Sequence, residues 1–229
     1  EDEDTSDLAV RALEKIFIKK PELKDKIGVI AVCTQTPDYQ IPHTSPIVQK
    51  KLDLGNSIAC FDLGLGCSGF VYGLSVVKAF MENNNLDYGL LITAETYSKI
   101  IDNKDKNTKA LFSDAAAATL LGREPYLIAQ KFTFGTAGSG YESLILRRKN
   151  ITKPEEANYL YMDGRGVFEF VSTVIPADLE KCLSINKMGL NDIDYFVFHQ
   201  ASNFMIETLA KKMGIADDNR VIKCLDRCG

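Results

Sequence analysis

Two kinds of hydrophobic run alternate along the first 125 residues. In TSDLAVRALEKIFIKK, from Thr5 on, apolar positions recur at Leu8, Ala12/Leu13 and Ile16/Phe17, the spacing of one helix face, with Thr5 or Ser6 as the capping residue. KIGVIAVCT is instead short, unbroken and β-branched, which predicts a buried strand. SIACFDLG predicts a second buried strand, CSGFVYGLSVVKAFMENN a helix, and YGLLITAE and AAAATLLG two further strands. TPDYQIPHTSP, dense in prolines and polar residues, predicts a loop. Strands alternating with helices predict an α/β architecture around a mostly parallel sheet covered on both faces.

A Gly122–Pro125 turn divides the chain, giving an expected first half at 1–122 and a second at 123–229. In the second, LIAQKFTFG and SLILRR read as strands around the turn-rich TAGSGYE, and KNITKPEEAN as a polar surface excursion. GRGVFEFVSTVIPADLEKCLSIN reads as a helix kinked or broken at Pro176, IDYFVFHQ as a strand, and NFMIETLAKKMG as a helix closed by Gly214. The halves share an order of events. ALEKIFIKKPELKDKIGVIAVCT parallels DLEKCLSINKMGLNDIDYFVFHQ, and SIACFD parallels VIKCLD, each pair about 165 residues apart. An internal duplication of this kind would leave the second copy cut short where its own glycine turn should begin, so the chain is expected to be a fragment.

Composition narrows the function. Apolar content of 45% and charged content of 25% are ordinary for a globular protein. A net charge of −4 argues against nucleic acid as a general partner, and no apolar run is long enough for a membrane span. The acidic start EDEDTSDLAV resembles no targeting peptide. Six cysteines without a C-x-x-C pair suggest reduced thiols in a cytoplasmic setting, and with only His43 and His199 available no metal is expected.

The chemistry concentrates in FDLGLGCSGFVYGL. Gly64, Gly66 and Gly69 fit G-x-G-x-x-G, and Glu95 ends the next strand where a ribose-binding acid would sit, so a dinucleotide turn is one reading. A second makes Cys67 a nucleophile at the first position of a helix, its thiol pKa lowered by the unpaired amides and the helix dipole. A third leaves Cys67 a structural thiol in a tight turn. His199 closes a predicted strand, and a cysteine–histidine pair is the better reading of the two residues together. The loop SKIIDNKDKNTK reads as solvated surface, with phosphate binding by Lys99 or Lys104 the lesser reading.

Taken together, FDLGLGCSGFVYGL, FSDAAAATLLG, FGTAGSGYESL, FHQASNFMIETLAKKMGI and LDRCG resemble β-ketoacyl-acyl-carrier-protein synthase III of the thiolase superfamily, in the family's order along nearly the whole chain. The resemblance implies a thiolase-like layered αβαβα fold of two related halves, the second incomplete, in a homodimer. It implies an acyltransferase that moves an acyl group from acyl-CoA to Cys67. That group then condenses with malonyl-acyl-carrier protein, with loss of CO2 and no cofactor. His199 of HQAS matches the histidine that assists decarboxylation. Lys99, Ser202 and Phe204 are the candidate substrate-binding positions. Ser202 replaces the family's usual asparagine of HQAN, and Phe204 stands where a basic residue often docks the carrier protein. The family's third catalytic residue, an asparagine, is expected just beyond Gly229, and its first strand upstream of Glu1, so residues 1–229 alone are not expected to catalyse condensation. A specialised synthase-III-like acyltransferase, or a non-catalytic carrier-binding partner of the same fold, are the alternatives.

Overall fold

A computed structural model describes residues 2–146, 159–216 and 219–228. The polar stretch 149–158 lies outside the described residues. The chain divides into two compact units, Glu1–Lys99 with Ser113–Ile128, and Ile100–Phe112 with Ala129–Gly229. The second unit thus takes in 100–112, which sequence reading placed in the first half.

In the first unit four strands form one sheet: β1 (Ile27–Cys33), β2 (Ala59–Leu63), β3 (Tyr88–Glu95) and β4 (Ala115–Gly122), in the order β2-β1-β3-β4. β1 lies parallel to both β2 and β3, with Ile30 opposite Cys60 on one side and Leu90 on the other. β4 runs antiparallel to β3. Alternate residues of β1 feed two cores. Ile30 and Val32 face α1 (Thr5–Lys19) and α2 (Thr44–Lys51), joining Ala9, Leu13 and Val48. Val29 and Ala31 face α3 (Gly69–Asn84), joining Val77 and Met81. That is the double cover expected of a strand apolar at every position. β2 is half-buried rather than buried as predicted, because among the described strands it pairs with β1 alone and forms an edge.

Two further expectations about this unit are corrected. The cap of α1 is Asp4, whose N–H donates to the Asp7 carboxylate at 3.0 Å. Thr5 and Ser6 are buried instead, Thr5 donating to the Thr36 carbonyl at 2.5 Å and Ser6 bonding the Asp38 carboxylate. Part of the predicted loop is α2. Its Pro46 sits in the first turn, where a missing N–H costs nothing, and the amides of Thr44 and Ser45 donate to the Asp62 carboxylate at 2.6 and 2.9 Å.

The second unit holds α4 (Lys106–Lys109), β5 (Leu144–Leu146) antiparallel to β6 (Leu160–Met162), α5 (Gly164–Asn186), α6 (Asn203–Lys212) and α7 (Leu225–Cys228). LIAQKFTFG is not a strand: it pairs with no described strand, and Leu127 and Ile128 are exposed. IDYFVFHQ is extended but makes a single parallel bridge, Phe196 to Val221. VIKCLD ends in α7 rather than continuing as a strand. The helix across Pro176 is continuous, not broken. Proline offers no N–H to the carbonyl four residues back, that of Ser172, and the Lys212 ammonium of α6 donates to this carbonyl at 2.9 Å. α6 ends as predicted, with Gly214 at φ +71°.

Candidate functional site

The turn that carries Cys67 is built where β2 hands over to α3. The chain leaves β2 at Leu63, and α3 begins at Gly69, with Ser68 at its cap. Cys67 therefore precedes the helix by two residues and is not its first residue as predicted. Glycine at 69 is required for close approach, since a Cβ there would collide with the Cys33 sulfur; a Cβ on Gly66 would meet the side-chain oxygen of Gln35 and displace it from its present place. Those glycines are thus consumed by packing against β1 and the segment after it. Glu95 is equally committed. Its carboxylate accepts from the Gln35 N–H at 2.8 Å, the Thr36 hydroxyl at 2.6 Å and the Thr34 hydroxyl at 3.3 Å. A ribose-binding acid needs a free carboxylate edge, so the geometry speaks against the dinucleotide turn.

Of the five cysteines whose side chains are described, only Cys67 is exposed; Cys33 is buried and Cys60, Cys182 and Cys224 are intermediate. Its thiol does not have the lowered pKa predicted from the helix start. Desolvation by the wall around the sulfur pushes it up, its own backbone N–H pulls it down, and the Glu95 charge pushes it up again. Desolvation, with the Glu95 charge added, outweighs the lowering by the backbone N–H. Exposure governs whether a reagent reaches Cys67; the crowding at sulfur governs its ionisation. Cys33, whose thiol donates to the Leu65 carbonyl at 3.2 Å, is pushed up to about 11 by burial. Tyr97, pushed up likewise by burial and then Glu95, donates its hydroxyl to Gln35 at 2.6 Å.

His199 belongs to the second unit. It follows the bridge at Phe196, and its carbonyl accepts from the Ala201 N–H at 3.0 Å. Desolvation holds its pKa below the usual histidine range, so the imidazole is neutral at pH 7, with one N–H to donate. The segment is tied down by a residue that sequence reading passed over. The Gln200 amide donates to the carbonyls of Phe198 at 2.9 Å and Ile222 at 3.2 Å, and accepts from the Cys224 N–H at 3.0 Å.

The three candidate substrate-binding positions fare differently. Lys99, in the first unit, is paired with the Asp4 carboxylate at 2.6 Å. The Ser202 hydroxyl caps α6, accepting from the Met205 N–H at 3.1 Å. Phe204 is 68% exposed and stacks on Phe168, with ring centroids 5.5 Å apart. Sequence reading missed Gln35 and Tyr97, which the chain brings to the Cys67 turn from more than 25 residues away. The only signal was that all three segments adjoin C-terminal strand ends, where α/β sheets gather functional groups. No cluster of three or more histidine, cysteine, aspartate or glutamate side chains suited to a metal occurs among the described residues, and no described helix is long and apolar enough to cross a membrane.

A family model for 3-oxoacyl-[acyl-carrier-protein] synthase III matches residues 61–138, and the model of that family's C-terminal part matches 183–229. A β-ketoacyl-[acyl-carrier-protein] synthase III of Lactococcus lactis is 34% identical over 224 residues, covering 94% of this chain and 68% of the relative. One from Clostridium tetani is 34% identical over 232 residues, covering 95% and 69%. The fold is thiolase-like. A crystal structure of a 3-oxoacyl-(acyl-carrier-protein) synthase III superposes with a TM-score of 0.92 at 33% identity, over 100% of this chain and 73% of that one. A Thermus thermophilus synthase III follows at 0.87 and 31%, over 100% and 72%.

Proposed function

We infer from the fact that this chain belongs to the 3-oxoacyl-[acyl-carrier-protein] synthase III family that it is an acyltransferase, catalysing the decarboxylating condensation that starts a fatty acyl chain. On this reading Cys67 takes the acyl group. Its sulfur attacks the thioester carbonyl of acyl-CoA, the carbon–sulfur bond to CoA breaks, and CoA leaves carrying the proton that the thiol gives up. Malonyl-acyl-carrier protein then loses CO2. The enolate so formed attacks the acyl carbon on Cys67, yielding the β-ketoacyl product and returning the thiolate.

A raised thiol pKa suits this division of labour. Attack on a thioester needs only a small thiolate fraction, and a less acidic thiol gives an intrinsically stronger nucleophile. The neutral His199 imidazole supplies an N–H donor to the enolate oxygen, stabilising charge as it develops. No cofactor beyond the CoA thioester enters the scheme. A homodimer is supported by the edge of β2, unpaired among the described residues, and by Phe70, Val71 and Val76 of α3, each more than a third exposed. A cytoplasmic setting agrees with the free cysteines.

The observation that carries the reading is an exposed thiol, alone in its exposure among the five cysteines whose side chains are described, set on a glycine turn between a strand end and a helix start. Its test is intact-protein and peptide mass spectrometry after incubation with a panel of acyl-CoAs. We expect one acyl adduct, on the Cys67 peptide, and none in Cys67→Ser. An adduct on Cys33 or Cys60, or none with any acyl-CoA, would overturn it.

A further inference from the structure

We propose that Glu95 is a positioning residue for the nucleophile turn, holding the 34–36 segment as the seat on which Gly66 and Cys67 rest. This deepens the reading of Cys67 as the acylated residue and rests on it. The geometry is a relay of three contacts. Glu95 Oε1 accepts the Gln35 N–H, and its Oε2 accepts the hydroxyls of Thr34 and Thr36. The Thr36 hydroxyl itself accepts from the Thr96 N–H at 2.8 Å, which leaves its proton for the carboxylate. Gln35, fixed by its backbone in this way and by the Tyr97 hydroxyl at its side chain, occupies the space that any Cβ on Gly66 would need. On the neighbouring side the Cys33 thiol does the same beneath Gly69. Thus the turn leans on the end of β1, and one carboxylate from β3 fixes that end.

The arrangement carries an electrostatic cost. A carboxylate beside a thiol opposes thiolate formation, so Glu95 holds the nucleophile in place while restraining its ionisation. The other titratable groups facing this pocket are Cys33 of β1 and Tyr97 after β3, with Asp62 of β2 acting on Cys33. Burial raises the pKa of both Cys33 and Tyr97, which keep their protons near pH 7. Removing the Glu95 charge and removing its hold are therefore separable operations.

The test measures two rates across pH 6–10 on the same chain: alkylation of Cys67 by iodoacetamide, followed by peptide mapping, and acylation of Cys67 by acyl-CoA. In Glu95→Gln, whose amide oxygen can still accept the Gln35 N–H while the charge and the acceptor for the Thr34 and Thr36 hydroxyls are lost, the alkylation midpoint should fall. For each pH unit that it falls, the rate at pH 7 should rise about threefold, since a tenfold gain in thiolate is offset by weaker nucleophilicity. In Gln35→Ala, where the side chain is exposed and the fold should tolerate its loss, the alkylation midpoint should stay put while acylation falls roughly tenfold. Glu95→Ala should combine a lowered midpoint with an acylation loss on the order of 100-fold, as expected when a reacting group moves by about 1 Å. A purely structural role would not move the midpoint. An unmoved midpoint in Glu95→Gln, or wild-type acylation in Gln35→Ala, would overturn the proposal. Alkylation needs no acyl donor, so a wild-type chain that takes no acyl group from any acyl-CoA would count against the proposed function and leave the midpoint comparison to decide the role of Glu95.

Discussion

β1 and the segment 193–199 come from similar sequence and end differently. Each is a short apolar run that follows a helix and a 3-10 turn, and each precedes a helix and a partner lying parallel to it. β1 is paired on both sides along its length, and all its residues but Gly28 are buried. In the second segment only Phe196 is bridged, and Tyr195 and Val197 are 67% and 75% exposed. The buried cores differ in the same sense. Two clusters flank β1, whereas Phe196 shares its cluster with just Ala210 and Ile215 as fully buried members. Strand character therefore belongs to a set of neighbours more than to a run of residues. What the local sequence carries is the option.

The largest effect that would sharpen this contrast is catalytic. If the well-paired unit supplies the nucleophile and the sparsely paired one an enolate donor, His199→Ala should still accept an acyl group on Cys67 while condensation falls roughly 10²–10³-fold, the range for loss of an oxyanion donor. Single-turnover loading measured beside steady-state condensation separates the two, and equal losses in both would merge the roles. Next in size is packing. Ile30→Ala, at a position with no exposure, should cost about 2–5 kcal/mol in urea unfolding, whereas Val197→Ala should stay within about 0.5 kcal/mol. Similar costs would break the comparison.

Lys212→Met should cost about 1–3 kcal/mol by leaving the Ser172 carbonyl without its donor, and adding Pro176→Ala should recover most of it by restoring the helix's own N–H. The double-mutant cycle reads this directly. The smallest effect is a pH dependence. His199 has a folded pKa below 6.5, so as pH falls through 6.5 the unfolded chain takes the proton first and stability declines. His199→Gln should flatten that slope between pH 7.5 and 5.5, modestly, because the residue is exposed at its rim.

Much of the first unit could be read from the chain. Continuous apolar runs marked β1 and β3, which are paired on both sides and covered, and the edge strand β4, and the glycine turn marked Cys67. Three features escaped for physical reasons. α2 hid behind its prolines, although Pro46 in a first turn is no obstacle. Asp4 took the cap because Thr5 and Ser6 had tertiary partners in Thr36 and Asp38, which no local pattern announces. The ionisation of Cys67 was read with the wrong sign, since the helix start is local while the desolvation of the sulfur, and after it the Glu95 charge, are set by tertiary surroundings. Further along, the apolar runs at 127–135, which crosses from the first unit into the second, and at 193–200 read as strands because periodicity does not show whether a partner is present. Chemistry showed the same split: Cys67 and His199 were legible as residue types, but Gln35, Tyr97 and Gln200 were not, being defined only by what they touch.

The lysine that answers Pro176 has a consequence for how such sequences can drift. With proline at 176, losing Lys212 strands a helical carbonyl, so that change alone is selected against. With any other residue at 176 the helix satisfies Ser172 itself, and position 212 is released. A lineage can thus give up the proline first and the lysine afterwards, whereas the reverse order passes through a weakened ancestor. The two positions, 36 residues apart in the chain, should vary together across relatives and in that order.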